Sequence, residues 1–329
     1  MGGRSYPTPR KRSEIGNTPA IRHTPAVLSS GPAPHPDEFD PRDADMVCAV
    51  FDAAALANRD DPRRLGSVVH LPAEGTLIAS GDLHDHRGNL AKLLGRADLA
   101  AGPGRMLMLQ EVIHGPHKMR GMDLSVRILA EVACLRASRP GQVWVIQSNH
   151  ELAQYLGRGI TKAGVSVCDA FDDGVEFIYA GRAREVTEAM RRYLRSLPLA
   201  LRTASGWVLT HSHPSHNRLG RFDAGVLDRE PTDADLDRGA AHQLVWGRGE
   251  SPEVQAKLAE AWRAQGFVVG HQACDFGAQP WADRGILLAS DHRQGAALEL
   301  QLDRPYRRDE LYQDVHMLMD LPTPGALLW

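Results

Sequence analysis

Leu77-Ile78-Ala79-Ser80-Gly81-Asp82-Leu83-His84-Asp85-His86 is the stretch on which the fold turns. A short apolar run gives way to Gly, then to a carboxylate and imidazoles, as in a buried strand that delivers ligand-type side chains at its carboxyl end. The same arrangement returns three times. Val143-Trp144-Val145-Ile146 precedes Ser148-Asn149-His150-Glu151, Trp207-Val208-Leu209 precedes His211, and Phe267-Val268-Val269 precedes Gly270-His271. Each piece alone is ordinary, since Asn and Glu start helices and a single His after a strand is commonly structural. Four in order, each in the same place relative to its strand, predict a site assembled at the carboxyl edge of one sheet. Asp, His and Asn donors suit a pair of divalent transition metals. Two such ions close together are a device for phosphoryl transfer to water.

In these motifs the chain resembles the calcineurin-like metallophosphoesterases, and within them the Ser/Thr protein phosphatase group most closely, over residues 75 to 302. The family pattern GDxHG stands as Gly81-Asp82-Leu83-His84-Asp85 and GNHE as Ser148-Asn149-His150-Glu151. HGG stands as His211-Ser212-His213, and the closing GH as Gly270-His271-Gln272. Leu197-Pro198-Leu199-Ala200 and Val245-Trp246-Gly247-Arg248 are similar to two further stretches of the phosphatase group. The resemblance implies an α/β fold, a two-layer β-sandwich flanked by helices. Strand-helix alternation alone allows other α/β folds.

The family's second motif, GDxVDRG, is altered. The chain reads Met106-Leu107-Met108-Leu109-Gln110-Glu111-Val112-Ile113-His114-Gly115 where it should stand. Counting back from Gly115 puts Gln110 in the slot of the metal-bridging Asp; counting forward from the apolar run puts Glu111 there. The second alignment is preferred, because a carboxylate offsets the charge of two cations and an amide does so poorly. The family's Asp-Arg pair that follows, which orients the catalytic histidine and grips phosphate, is absent. His114 is the nearest replacement for either role, with Arg120 beyond it.

By the resemblance, Asp82, His84 and a bridging Glu111 hold one metal, and Glu111, Asn149, His211 and His271 hold the second. Mn is the first candidate, with Fe and Zn as the others. A hydroxide bridging the ions attacks phosphorus, and His150 protonates the leaving oxygen. Arg248 is a candidate phosphate clamp, with His114 beside it. His213 takes the place of a family glycine, where it would narrow a groove or add a ligand-like nitrogen. Three functions stay open: a phosphatase acting on phosphoprotein or small phosphate esters, a phosphoanhydride hydrolase of dinucleoside tetraphosphatase type, and a metal-binding module with little turnover. A deep basic pocket with an aromatic platform beside Arg248 would favour the second, an open groove the first.

Composition bounds the rest. A chain of 329 residues with 43% hydrophobic content supports one large core, here assigned to residues 41–329. Residues 1–40 carry Pro7, Pro9, Pro19, Pro25, Pro32, Pro34 and Pro36 with little apolar content, and are expected to form a flexible arm. A net charge of -3 gives no attraction for nucleic acid or anionic membrane. Cys48, Cys134, Cys168 and Cys274 lack metal-clip spacing. With no apolar signal segment, a cytoplasmic protein acting on a phosphorylated partner is expected. A helix is expected near Asp45, another after Asp82 with Leu90, Leu93 and Leu94 inward, and a third capped by Asp123. Residues 155 to 185 show no clear period before a helix at Val186 to Leu194. Ile286-Leu287-Leu288 and the alternating Leu298, Leu300 and Leu302 read as closing strands of a second sheet.

Overall fold

A computed structural model describes residues 35–158, 161–162 and 165–323. The strands run β1 Arg64–Leu65, β2 Val68–His70, β3 Thr76–Asp82, β4 Arg105–Gln110, β5 Val143–Val145, β6 Thr161–Lys162 and β7 Val165–Ser166. They continue as β8 Ala200–Arg202, β9 Trp207–Thr210, β10 Gly266–Val269, β11 Ala278–Trp281, β12 Gly285–Leu288, β13 Ala296–Gln301 and β14 Val315–Met317. The helices that matter here are α1 Ala44–Arg59, α2 Arg87–Ala97, α3 Val126–Ser138, α4 Asn149–Leu156, α5 Val167–Tyr179 and α6 Ala183–Ser196. They are followed by α7 Asp233–Asp237, α8 Ala240–Trp246 and α9 Pro252–Trp262.

Two sheets carry the molecule. One has the order β14-β13-β3-β4-β5, the other β1-β2-β8-β9-β10-β12-β11. The two-residue period of a strand sorts their side chains into two layers. Leu77, Ala79, Met106, Met108, Trp144, Leu209, Val268 and Leu298 form the core between the sheets. Ile78, Leu107, Leu109, Val143 and Val145, one residue out of step, form the core against the helices. All seven residues of β3 are buried, as a parallel strand covered on both faces requires. The α/β two-layer sandwich flanked by helices is therefore the fold.

Local signals place the helices. Asp43 caps α1 by accepting from the amides of Asp45 and Met46, and Val47, Val50 and Phe51 turn inward. Phe51 stacks on Tyr193 of α6 at 5.6 Å. Asp123 does not cap α3. Its carboxylate accepts from Ser125 N at 2.9 Å, so Ser125 takes the cap position and its hydroxyl accepts from His114 N instead.

Other expectations change too. Ile286–Leu288 and Leu298–Leu302 do not share a sheet: β12 lies parallel to β10, while β13 lies antiparallel to β3. The stretch without visible period contains α5, which docks so closely that a Cβ on Gly174 would lie 1.9 Å from Asp123 O. Residues 1–34 of the expected arm lie outside the described residues. The rest of it includes the short turn Pro36–Glu38, ahead of the bond from Tyr179 hydroxyl to Pro41 O. Among the described residues no helix is long and apolar enough to cross a membrane.

Candidate metal centre

The centre lies where the two sheets meet, not along one sheet as expected. Asp82 ends β3, and His84, Glu111 and Asn149 follow β3, β4 and β5 of one sheet, whereas His211 and His271 follow β9 and β10 of the other. Asp82 forms a parallel bridge to Ala289, and Ser290 N donates to Asp82 O at 2.9 Å. A glycine is required on each side of this seam. A Cβ on Gly81 would lie 2.3 Å from the Leu288 carbonyl, and one on Gly270 would lie 2.3 Å from Asp82 Oδ1. Asp82 thus sits over Gly270 with both carboxylate oxygens accepting from His271 N at 2.9 Å.

The backbone is strained here. His84, Asp85, Glu111, His114 and His271 have φ of 46, 58, 47, 64 and 71°. Left-handed backbone costs a non-glycine residue about 1–2 kcal/mol, and these five residues lie in or beside the centre.

The carboxylate of Glu111 occupies the middle. Oε1 lies 3.3 Å from His84 Nε2 and 3.2 Å from His150 Nε2, and Oε2 lies 2.9 Å from His211 Nε2. Two groups share this carboxylate, His84-Glu111-His150 and Glu111-His211-His271, each with its ligand atoms within 4.8 Å of one another. His150 stands with His84 in the first group, and Asp82 lies near enough to Glu111 to feel its charge. Gln110 stands behind the centre: its Nε2 donates to Ser80 O at 2.9 Å and its Oε1 lies 2.8 Å from His211 Nδ1.

Hydrogen bonding decides which imidazole nitrogens are bare. An amide or carbonyl oxygen only accepts. His211 Nδ1 must therefore donate to Gln110, and His84 Nδ1 must donate to Ile113 O at 3.0 Å. In the neutral rings both Nε2 atoms then point unprotonated lone pairs at Glu111. His211 Nε2 is also 2.7 Å from Asn149 Oδ1, which lies 3.0 Å from His271 Nδ1. Glu111 Oε2 and His271 Nε2 are buried without a hydrogen-bond partner. Lone pairs facing one another in a buried site repel unless a cation lies between them, so the residues present fit divalent metal. The outer bonds of His84 and His211 are those that orient metal-ligating histidines.

The charges respond to the same crowding. Burial, reinforced by Glu111, pushes the Asp82 carboxyl well above the usual range. Burial opposes charge on Glu111 as well, but where His84, His211 and His150 are protonated their charge outweighs it and holds that carboxyl well below its ordinary value. Burial, aided by His211, pushes His271 down to about 3, leaving it a neutral imidazole.

His150 and His114 form a wall beside Glu111. Their Nδ1 atoms are 2.8 Å apart, and His114 Nε2 lies 3.2 Å from Gln154 Oε1. His114 is 4% exposed, with one ring nitrogen against His150 and the other against Gln154. Arg248 is exposed and close enough to His271 to press its pKa down. His213 lines no groove and reaches no ligand atom. It is fully buried, both ring nitrogens lack a hydrogen-bond partner, and Phe267 and Trp281 meet its ring edge-on, each at 4.6 Å. Burial pushes its pKa down to about 3.

Sequence reasoning missed the part that four residues play in this wall. Glu151 accepts from Val112 N at 2.8 Å and ties the loop after β4 to α4. Gln154 is four residues after His150 on one helix, a spacing that shares a face and could have been noticed. Asp172 and Phe171, on α5, carried no signal, because the helix that presents them was not legible.

No protein-family model matches the sequence, and no curated protein matches it. Solved structures do. A protein serine/threonine phosphatase from Saccharomyces cerevisiae with similarity to human phosphatase PP5 superposes with a TM-score of 0.60 at 15% identity, covering 86% of this chain and 92% of that one. A cold-active protein-tyrosine phosphatase from a psychrophilic Shewanella species gives 0.53 at 17% identity, covering 78% and 83%. A point mutant of a cold-active protein tyrosine phosphatase gives 0.52 at 16% identity, with the same coverage. At these identities the likeness is one of fold.

Proposed function

We propose that the protein is a dinuclear-metal phosphoesterase that hydrolyses phosphate monoesters of protein or small-molecule substrates. The observation that carries this reading is the Glu111 carboxylate, shared between two imidazole groups whose bare nitrogens face it. Asp82, His84 and Glu111 would hold one ion, and Glu111, Asn149, His211 and His271 the other, with Mn²⁺ the first candidate. Bound there, such ions acidify a water and neutralise charge on phosphoryl oxygens.

The protein's own residues do the remainder. Gln110 and Ile113 O orient His211 and His84. Arg248, exposed at the rim, is available to a phosphate oxygen. His150 gives its Nε2 proton to the leaving oxygen as the phosphorus–oxygen bond breaks, and keeps its Nδ1 toward His114.

One feature favours a phosphoanhydride substrate as the second reading. A cleft of about 570 Å³ adjoins the centre, lined by Arg158, Arg218, Arg238, His242 and Trp246 among others. His242 stacks on Trp246 at 5.7 Å, and Trp246 meets the His271 ring at 6.5 Å. Cationic groups beside an aromatic stack suit a nucleotide with several phosphates.

The test is Mn²⁺ loading followed by elemental analysis and assay on p-nitrophenyl phosphate, phosphopeptides and dinucleoside tetraphosphates. Turnover of monoesters with two ions bound is expected. Hydrolysis of the tetraphosphates alone would favour the second reading, and metal without turnover would make the protein a binding module. His150→Ala is expected to lower turnover of phosphoserine peptides by about two to four orders of magnitude with metal content unchanged. Loss of metal in that variant would make His150 a ligand.

A further inference from the structure

We propose that Asp172 and Gln154 are positioning residues that set the tautomer of His114 and, through it, which nitrogen of His150 carries the transferable proton. The proposal rests on the reading of His150 as the acid. The chain of contacts is continuous. Asp172 Oδ1 lies 2.7 Å from Gln154 Nε2, Gln154 Oε1 lies 3.2 Å from His114 Nε2, His114 Nδ1 lies 2.8 Å from His150 Nδ1, and His150 Nε2 lies 3.2 Å from Glu111.

Donor and acceptor capacity propagates along this chain in one direction. An ionised carboxylate only accepts, so the Gln154 atom facing Asp172 must be its NH₂ group. The amide oxygen is then turned to His114, whose Nε2 must carry the hydrogen. The neutral His114 ring is left with a bare Nδ1, which accepts from His150 Nδ1–H. His150 is thereby anchored through one nitrogen, and its other, Nε2, can give up a proton and leave a neutral ring. With the amide reversed, His114 would donate to His150 Nδ1. Releasing the Nε2 proton would then strip the His150 ring of its only hydrogen, which an imidazole does not surrender in water near neutrality.

The surroundings hold this polarity. Gln154 is 4% exposed, and Phe171, the neighbour of Asp172 on α5, meets the His114 ring edge-on at 5.4 Å. His114 N is held by Ser125 Oγ at 3.0 Å. A carboxylate on a different helix thus bears on His150 Nδ1 through an amide and a second imidazole.

The test uses four variants of the full chain: His150→Ala, Gln154→Leu, Asp172→Lys and the exchange Gln154→Glu with Asp172→Asn. Each is assayed on p-nitrophenyl phosphate, whose leaving group needs no proton, and on a phosphoserine peptide, whose leaving alkoxide does. Gln154→Leu is expected to lower kcat on the peptide by about tenfold to a hundredfold, part of what a positioned acid supplies. Its KM and its turnover of p-nitrophenyl phosphate should stay near parental. The exchange puts a donor at 172 and an acceptor at 154, keeps the polarity, and should restore the peptide rate. In metal-free protein, imidazole ¹⁵N shifts should report His114 protonated at Nε2, and at Nδ1 in Asp172→Lys; this arm needs no turnover. If His150→Ala loses equally on both substrates, the acid reading fails. If it loses selectively while Gln154→Leu keeps the parental ratio, or if His114 is protonated at Nδ1 in the parent, the relay is overturned. Failure of the exchange to restore the rate would overturn the polarity.

Discussion

His211 and His213 leave the end of the same strand two residues apart, and both are fully buried, yet their surroundings are opposites. Around His211 stand Gln110, Asn149 and Glu111, all within 2.9 Å of a ring nitrogen. Around His213 stand Phe267, Trp281 and Trp262, and no hydrogen-bond partner for either nitrogen. The first ring is held in one orientation with a lone pair aimed at a shared carboxylate. The second fills space. A buried imidazole is assigned by what faces its nitrogens, and neither residue type nor spacing from the strand carries that information.

The comparison breaks most visibly at Glu111. Glu111→Gln removes the shared anion from the polar side, and metal content and turnover should fall together, turnover by about three orders of magnitude, the scale of a lost group that stabilises charge. Full metal occupancy in this variant, by elemental analysis, would mean the carboxylate does not join the two groups. Gln110→Ala should act on the same side more gently. It frees His211 Nδ1 without removing a ligand, and metal affinity should weaken by about ten- to a hundredfold. An unaltered affinity in a metal titration would show that His211 needs no orienting bond.

The smallest effect belongs to the aromatic box. His213→Leu replaces an unsatisfied polar ring by an apolar group and should stabilise the protein by about 1 kcal/mol, with metal content and turnover unchanged. The sign of its pH dependence follows from the depressed pKa. His213 stays neutral in the folded protein down to about 3, whereas the unfolded chain protonates it near 6.5. Between those values the unfolded state binds the extra proton, so the parent loses stability as pH falls through that window. The advantage of His213→Leu should therefore widen from pH 6.5 downward in paired denaturation curves of metal-free protein. A difference flat with pH would place a partner on one of those nitrogens.

The strands and their terminal ligand-type residues were legible because short apolar runs ending in Gly or polar residues depend on local sequence alone. Which sheet a strand joins depends on a partner far along the chain. Nothing in Ile286-Leu287-Leu288 or in Leu298 and Leu300 distinguishes a neighbour of β10 from a neighbour of β3. The seam between sheets was hidden for the same reason. Helix α5 was hidden because Gly174 falls on its buried face, among Phe171, Val175 and Tyr179, and because Asp169, Asp172 and Asp173 crowd its exposed side. Gly174 in particular reads as a helix breaker, and only the close approach of Asp123 O explains it. With α5 unseen, the contact of Phe171 with His114 and the bond of Gln154 to Asp172 were unseen as well.

Strand β13 pairs with β3 along its length, and Thr76 hydroxyl donates to Gln301 across 225 residues. This closure has a cost in time. Contacts of such sequence separation form slowly, because the intervening chain must be brought round before they reward it. During synthesis β3 emerges early and waits with one edge unpaired, an invitation to association with other chains. A chain released at residue 284 keeps Asp82, His84, Glu111, Asn149, His211 and His271 but lacks β12 and β13. Such a fragment should bind no metal: every ligand-type residue would be present, and the frame that gathers them would not.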